Sequence, residues 1–144
     1  MVVCADTSFL FALYGNDANT PRAVAWMKRC RTALSLSTLN EYELANALRF
    51  AEFRKEIAAG EAALFWAQFE ADRASGRIKV QVCNLADVVD EAKRLSATHT
   101  LTGGHRGFDI LHVAAAIRLA AKNFLTFDRK QKELAEAEGL VVPV

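Results

Sequence analysis

Cysteine is scarce. Only Cys4, Cys30 and Cys83 are present, far apart and odd in number, which excludes a disulfide-stapled scaffold and fits a reducing compartment. Charge of one sign is lacking too: 18 Lys and Arg stand against 17 Asp and Glu, a formal net charge of +1. That balance does not favour wholesale phosphate binding, so any contact with nucleic acid must come from a local patch. No apolar run reaches the roughly 18 residues that a membrane span needs. Met1 to Asp6 turns acidic too soon to read as a secretory signal. Internal repeats, linkers and low-complexity segments are absent. His99 and His105 have no His or Cys partner at metal spacing, so zinc is unsupported. Gly103-Gly104 lacks the Gly-Lys-Ser/Thr of a phosphate loop. What remains is 52% apolar and 24% charged residues over 144 positions, the composition of one ordinary globular domain. The expectation is a single domain over residues 1–144, cytoplasmic, with no membrane partner.

Apolar runs and their breaks place the elements. Val2–Ala5 reads as a buried strand that stops at Asp6, after which Thr7-Ser8 caps a short helix through Tyr14. A second helix starts at Thr20-Pro21 and ends on Lys28, Arg29 and Arg31. Ala33–Ser37 reads as a second strand. Thr38 opens a helix to about Arg54, and Ala59-Gly60 separates it from one carrying Leu64, Phe65, Trp66 and Phe69. Ile78–Val82 alternates as a strand with one wet face. Leu85 to about Thr98 is helical, Thr102–Gly107 a loop, and Phe108–Ala121 a buried helix. Asn123–Phe127 is another strand, Asp128–Glu138 a charged helix closed by Gly139, and Leu140–Val142 a last edge strand. Strands alternating with helices predict an α/β fold of three layers, α/β/α, around a mainly parallel sheet of four to five strands.

Two acids, Asp6 and Asp128, directly follow apolar strands. Ligands of open α/β sheets bind beyond the carboxyl ends of strands, so carboxylates on neighbouring strands would face one crevice. Asp109 heads the apolar helix, and Glu43 lies on the helix that Thr38 opens, with Glu41 as an equal neighbour. Taken singly, each has a plain reading: Asp6 and Asp128 as N-caps, Asp109 as a first-turn partner of the helix dipole, Glu43 as a solvated face residue. Four carboxylates in one cleft would instead repel and raise one another's pKa unless a cation lay among them. Hard oxygens without His or Cys select Mg²⁺ or Mn²⁺, and the chemistry that suits them is phosphodiester hydrolysis by an aligned water.

These residues stand in blocks that resemble the PIN-domain ribonucleases, specifically the VapC-type toxins of toxin–antitoxin modules. Val2-Val3-Cys4-Ala5-Asp6-Thr7-Ser8-Phe9-Leu10 is similar to the family's strand and Asp-x-Ser start. Leu36-Ser37-Thr38-Leu39-Asn40-Glu41-Tyr42-Glu43-Leu44 is similar to its second block, in which the acid precedes Leu; that register selects Glu43 over Glu41. Arg106-Gly107-Phe108-Asp109-Ile110-Leu111-His112 and Phe124-Leu125-Thr126-Phe127-Asp128 are similar to the third and last. The resemblance implies Mg²⁺- or Mn²⁺-dependent endonucleolytic cleavage of single-stranded RNA, leaving a 5′-phosphate and a 3′-hydroxyl. It implies an acidic site of Asp6, Glu43, Asp109 and Asp128. Asp6 and Asp109 would ligate metal directly, while Glu43 and Asp128 act through waters or hold a second ion. It also implies a homodimer and a cognate antitoxin that blocks the cleft.

Other residues have two readings. Arg106 either holds a phosphate beside the metal or pairs with a nearby acid. Thr7 and Thr126 can support the site through hydroxyl hydrogen bonds. His112, one turn after Asp109, is read as a hydrogen-bonded core histidine. Phe65, Trp66, Phe69 and Leu64 fall at helical spacing as core or dimer contact, with Ala23–Met27 a second apolar stretch compatible with dimerisation. Lys28, Arg29, Arg31, Arg49, Arg54 and Lys55 are either an RNA-facing patch or solvated helix faces. Two other function classes are open. One is a phosphotransfer domain, although Ser8 stands where a dehalogenase-like phosphatase needs an acid, and Asp128 where a receiver needs lysine. The other is a catalytically silent PIN-fold module that binds protein.

Overall fold

The computed structural model describes residues 1–144. Its four strands are β1 (Val3–Ala5), β2 (Leu34–Ser37), β3 (Ile78–Gln81) and β4 (Asn123–Leu125), all parallel and ordered β3-β2-β1-β4. The eight helices are α1 (Thr7–Tyr14), α2 (Thr20–Arg29), α3 (Thr38–Phe53), α4 (Glu61–Ala74), α5 (Leu85–Leu95), α6 (Leu101–Gly103), α7 (Gly107–Arg118) and α8 (Arg129–Ala137). The expected three-layer α/β/α architecture is the one observed.

Strand alternation divides the core between the two faces of the sheet. Val3, Ala5, Leu34, Leu36, Ile78 and Leu125 face α1–α4. Cys4 and Phe124 face α5, α7 and α8, where Val113, Ala114, Ala115 and Ala116 let α7 approach closely. β1 registers Val3 against both Leu34 and Asn123, so it is central and buried on both sides. The chain runs outward from β1 to β2 and β3, then returns to β4 on the other flank. That reversal makes the carboxyl ends of β1 and β4 the switch point at which an open parallel sheet leaves a crevice. Asp6 continues the ladder, its N–H donating to Leu125 O at 3.0 Å.

The structure corrects several expected boundaries. Leu140–Val142 is not an edge strand; Val141 alone bridges Asn123. The next donor on that side is residue 143, a proline without an N–H, so the ladder stops. Asp6, not Thr7-Ser8, caps α1: it is extended (φ −99°, ψ 179°) and its carboxylate accepts from Phe9 N. The helix from Leu85 does not end near Thr98. It widens into a π-helical turn, Ser96–Thr100, and continues as α6. Thr98 and Thr102 hydroxyls donate to the Arg94 and His99 carbonyls there, taking up acceptors in the widened turn. The loop shrinks to Gly104–Arg106, with Gly104 at φ 64° reversing the chain. Helix α7 stops at Arg118, before a left-handed Ala120 (φ 57°). Ala23, Met27 and Phe69 are buried in the core, not available for dimer contact; Leu64 is the large apolar residue of those stretches that stands well exposed.

Phe9 anchors the α1–α4 side. It is fully buried, edge-on to Trp26 (6.0 Å) and stacked on Phe127 (5.6 Å). Phe127 lies between Thr126 and Asp128, so this stack braces the end of β4 as well. Phe9→Ala is expected to lower stability by about 3–5 kcal/mol in urea denaturation; a loss under 1 kcal/mol would mean that the site collapses around the missing ring.

Candidate functional site

The site is built on the Asp6 carboxylate. Asp6 caps α1 at the end of β1 and is fully buried. Its Oδ1 accepts from Phe9 N (3.0 Å) and Ser8 Oγ (2.7 Å). Its Oδ2 accepts from Thr126 Oγ1 (2.6 Å) and Gln131 Nε2 (2.7 Å). Both hydroxyls spend their single hydrogen on Asp6 and accept from backbone, Ser8 Oγ from Phe127 N and Thr126 Oγ1 from Asp128 N. Three elements, α1, the end of β4 and α8, are thus tied to one carboxylate. Burial nevertheless pushes the Asp6 carboxyl up to about 6, against the lowering pull of Thr126, Phe9 N and Ser8.

Asp109 approaches from the first turn of α7. Gln131 Nε2 donates to Asp109 Oδ1 at 3.1 Å as well as to Asp6, so one amide bridges the two acids. Arg106 Nε lies 3.4 Å from Asp109 Oδ2, with most of the guanidinium side chain exposed. Burial raises the Asp109 carboxyl; Arg106 opposes this, while the charges of Asp128 and Glu43 add to it. Asp128 caps α8, accepting from Gln131 N at 2.9 Å. Both strand-end acids are therefore helix caps and members of the cluster at once.

Glu43 is held by a second relay. The N-cap Ser37 and Asn40 form a capping box at the start of α3: Asn40 Oδ1 accepts from Ser37 N and Ser37 Oγ. That fixes the Asn40 amide, whose Nδ2 donates to Ala5 O (2.9 Å) and His112 Nδ1 (3.1 Å). With Nδ1 an acceptor, the hydrogen sits on Nε2, which donates to Glu43 Oε2 at 3.1 Å. Burial works most strongly against the Glu43 charge, but hydrogen bonds from His112 and Thr7 together with the electrostatic pull of His112 and Arg106 hold the carboxyl below its ordinary range. His112 is a buried core histidine whose ring orients an acid.

Asp6, Glu43, Asp109 and Asp128 thus meet at the carboxyl ends of β1, β2 and β4, with Arg106, Thr7 and Thr126 beside them. Glu41 lies apart, paired with Arg73 at 2.9 Å. The basic residues do not gather there. Lys28, Arg29 and Arg31 lead into β2 at its amino end, and Arg49, Arg54 and Lys55 lie at the far end of α3. Arg49 lines a groove of about 340 Å³ between α3 and α4 with Trp66 and Glu52. Sequence reasoning missed Ser8, Asn40 and Gln131 as members of the site. Ser8 and Asn40 lie inside the motif blocks, and the Ser37-x-x-Asn40 spacing of a capping box was the signal for Asn40. Gln131 had none beyond following the Asp128 cap by three.

No three His, Cys, Asp or Glu side chains are gathered closely enough to cage a metal ion unaided. The donor set is nevertheless all oxygen and anionic, which suits a hard divalent cation. The buried Gln131 Oε1, beside Asp6 and Asp109, meets no donor of the protein. Both observations fit Mg²⁺ or Mn²⁺ at Asp6 and Asp109 better than a softer metal.

A family model for the PIN domain matches residues 3–137. Among solved structures the chain is similar to VapC20 of Mycobacterium tuberculosis, a sarcin-ricin loop cleaving toxin, with a TM-score of 0.70 and 21% identity over 96% of each chain. It is also similar to PAE2754 of Pyrobaculum aerophilum, with a TM-score of 0.60 and 20% identity over 99% of this chain and 89% of that one. At these identities the likeness establishes the fold. No curated protein matches the chain.

The raised Asp6 carboxyl has a consequence for stability. Its folded pKa of about 6 lies above the ordinary 3.8, so the native state binds the proton more tightly. The contribution is complete below the unfolded pKa and is lost as pH rises through about 6. Above that, the buried charge costs on the order of 3 kcal/mol. In EDTA, the melting temperature of the parent chain is expected to gain, as pH falls from 7.5 towards 4, a contribution that Asp6→Asn lacks. Asp6→Asn keeps a capping oxygen but turns an NH₂ toward the Thr126 and Gln131 donors, so the pH dependence of the difference, not its sign at one pH, is the readout. A pH-independent difference would show that Asp6 is not the titrating group.

Proposed function

The chain belongs to the PIN-domain family, and from that premise we propose that it is a metal-dependent endoribonuclease, the toxin of a toxin–antitoxin pair. The observation that carries this is the meeting of Asp6 and Asp109 at one amide, with Glu43 and Asp128 in the same electrostatic field. Similarity to VapC20, a sarcin-ricin loop cleaving toxin, supports it.

In this reading Asp6 and Asp109 hold Mg²⁺ or Mn²⁺ directly, and Glu43 and Asp128 act through waters or a second ion. Bound there, the ion would polarise the phosphodiester and lower the pKa of the attacking water. The chain's own groups do the rest. Glu43, kept ionised by His112 and Thr7, accepts the water's proton. Arg106, exposed at the rim and loosely paired with Asp109, receives the phosphate of single-stranded RNA. Thr126, with its hydroxyl bonded to Asp6 and to the Asp128 amide, positions carboxylates, while Thr7 stands nearer the substrate side. Cleavage leaves a 5′-phosphate and a 3′-hydroxyl.

Phosphoryl transfer to Asp6 is disfavoured, because Ser8 stands where a dehalogenase-like phosphatase needs an acid and Asp128 where a receiver needs lysine. A cognate antitoxin covering the cleft, a homodimer and a cytoplasmic location complete the proposal; no helix is long and apolar enough to cross a membrane.

Single-stranded RNA incubated with the protein and Mg²⁺ or Mn²⁺ is expected to be cut, with EDTA abolishing cleavage and Asp109→Asn reducing it by about a hundredfold or more. Cleavage indifferent to both would overturn the reading. Arg106→Ala should lower kcat/KM by about tenfold, chiefly through KM, in steady-state kinetics on the same RNA. An unchanged KM would assign Arg106 only to its pairing with Asp109.

A further inference from the structure

Gln131 lies in the first turn of α8 and is 4% exposed. Its Nε2 donates to Asp6 Oδ2 at 2.7 Å and to Asp109 Oδ1 at 3.1 Å. Both amide hydrogens are used, one on each carboxylate. Its Oε1 is buried and meets no donor. The asymmetry has an electrostatic cause. The amide nitrogen end is the positive end of the group's dipole, and turning the oxygen toward two carboxylates would set lone pairs against anions. One half of the side chain is therefore strongly satisfied and the other half has nothing to lose.

We propose that Gln131 is a resident counter-group for the Asp6–Asp109 pair, and that its amide turns when a divalent cation loads, withdrawing Nε2–H and presenting Oε1. The inference rests on the metal reading above. A cation shared by these two carboxylates needs the space that the NH₂ group fills, and an N–H cannot face it. Gln131 does not leave: its backbone N–H is held by Asp128 Oδ1 at 2.9 Å. A half-turn about its terminal torsion, which is soft and roughly two-fold, exchanges N and O in place. That turn gives up the two bonds to the carboxylates and none at Oε1, which has no partner, and it leaves the amide hydrogens unpaired, a cost that coordination of the cation has to exceed. A neutral amide oxygen is itself a fitting hard ligand. The other donors to Asp6 have no such second face. Ser8 and Thr126 already accept from Phe127 N and Asp128 N, and Phe9 N is backbone. A purely space-filling Gln131 would keep its NH₂ on the carboxylates whatever is bound.

The test is ¹⁵N NMR of the full chain titrated with MgCl₂, a diamagnetic probe. Only Gln68, Gln81 and Gln131 contribute glutamine NH₂ pairs, and Gln131→Glu identifies the third by its disappearance. As Mg²⁺ saturates the site, judged by the backbone amides of Asp6 and Asp109, the Gln131 NH₂ pair is expected to shift and lose about tenfold or more of its protection from hydrogen exchange. Gln131→Glu, which offers oxygen without the counter-group, should bind Mg²⁺ at least about tenfold tighter and melt lower in EDTA at pH 7.5. Saturation shifts at Asp6 and Asp109 with an unmoved, equally protected Gln131 pair would overturn this inference alone, as would unimproved binding by the Glu variant. Silence at Asp6 and Asp109 would remove the metal reading and this inference with it. Should the Glu variant not fold, Gln131→Met supplies the assignment and the exchange data on the parent chain decide.

Discussion

A carboxylate with no contact with water, ringed by four hydrogen-bond donors, is the constraint around which the molecule is arranged. Removing the Asp6 charge from solvent is costly, and only a dense set of donors offsets it. Those donors come from α1, from the end of β4 and from α8, so the residue that holds the charge also locks three elements together. Phe127, the residue between Thr126 and Asp128, then stacks on Phe9, which extends the lock into the apolar core. Stability and site geometry are consequently the same set of contacts. The donors do not fully offset burial, and the carboxyl stays easier to protonate than usual. That residual strain is what a cation would relieve.

The topology explains why the acids can meet. β1 is central, and the chain leaves it towards β2 and returns on the far side at β4. Residues at the carboxyl ends of these strands converge although more than a hundred positions separate Asp6 from Asp128. Helix α7 brings Asp109 across the sheet to the same edge, and its His112 reaches Glu43 on α3. Two relays result. Gln131 joins Asp6 to Asp109, while Asn40 and His112 join the backbone of β1 to Glu43. The first leaves its acids with raised carboxyl pKa; the second keeps its acid ionised. Carboxylates of the same type are thus prepared differently by what donates to them.

The plain and the functional readings of the strand-end acids are not rivals. A capping aspartate uses one oxygen on the helix N-terminus and keeps the other. For Asp6, Oδ1 takes the cap and Oδ2 faces Thr126 and Gln131; for Asp128, Oδ1 takes the Gln131 amide. Capping also fixes the backbone at these positions, so the carboxylates are preorganised by the same bond that starts the helix.

Sequence by itself determined the alternation of strands and helices and the parallel sheet, and it nominated the four acids with Arg106, Thr7 and Thr126 as a candidate site. Apolar runs, periodicity and motif order are local signals. It misjudged the final strand at Leu140–Val142 because one N–H missing at Pro143 outweighs an apolar run. It ended the helix after Leu85 too early because threonine hydroxyls stabilised a widened turn that composition does not announce. Only the tertiary structure decided that Gln131 bridges Asp6 and Asp109, that Asn40 sets the His112 tautomer, and that Ala23 and Met27 are spent in the core. The physical reason is that these assignments depend on hydrogen-bond direction and burial between segments far apart in the chain. No local pattern encodes which donor a folded acid will meet.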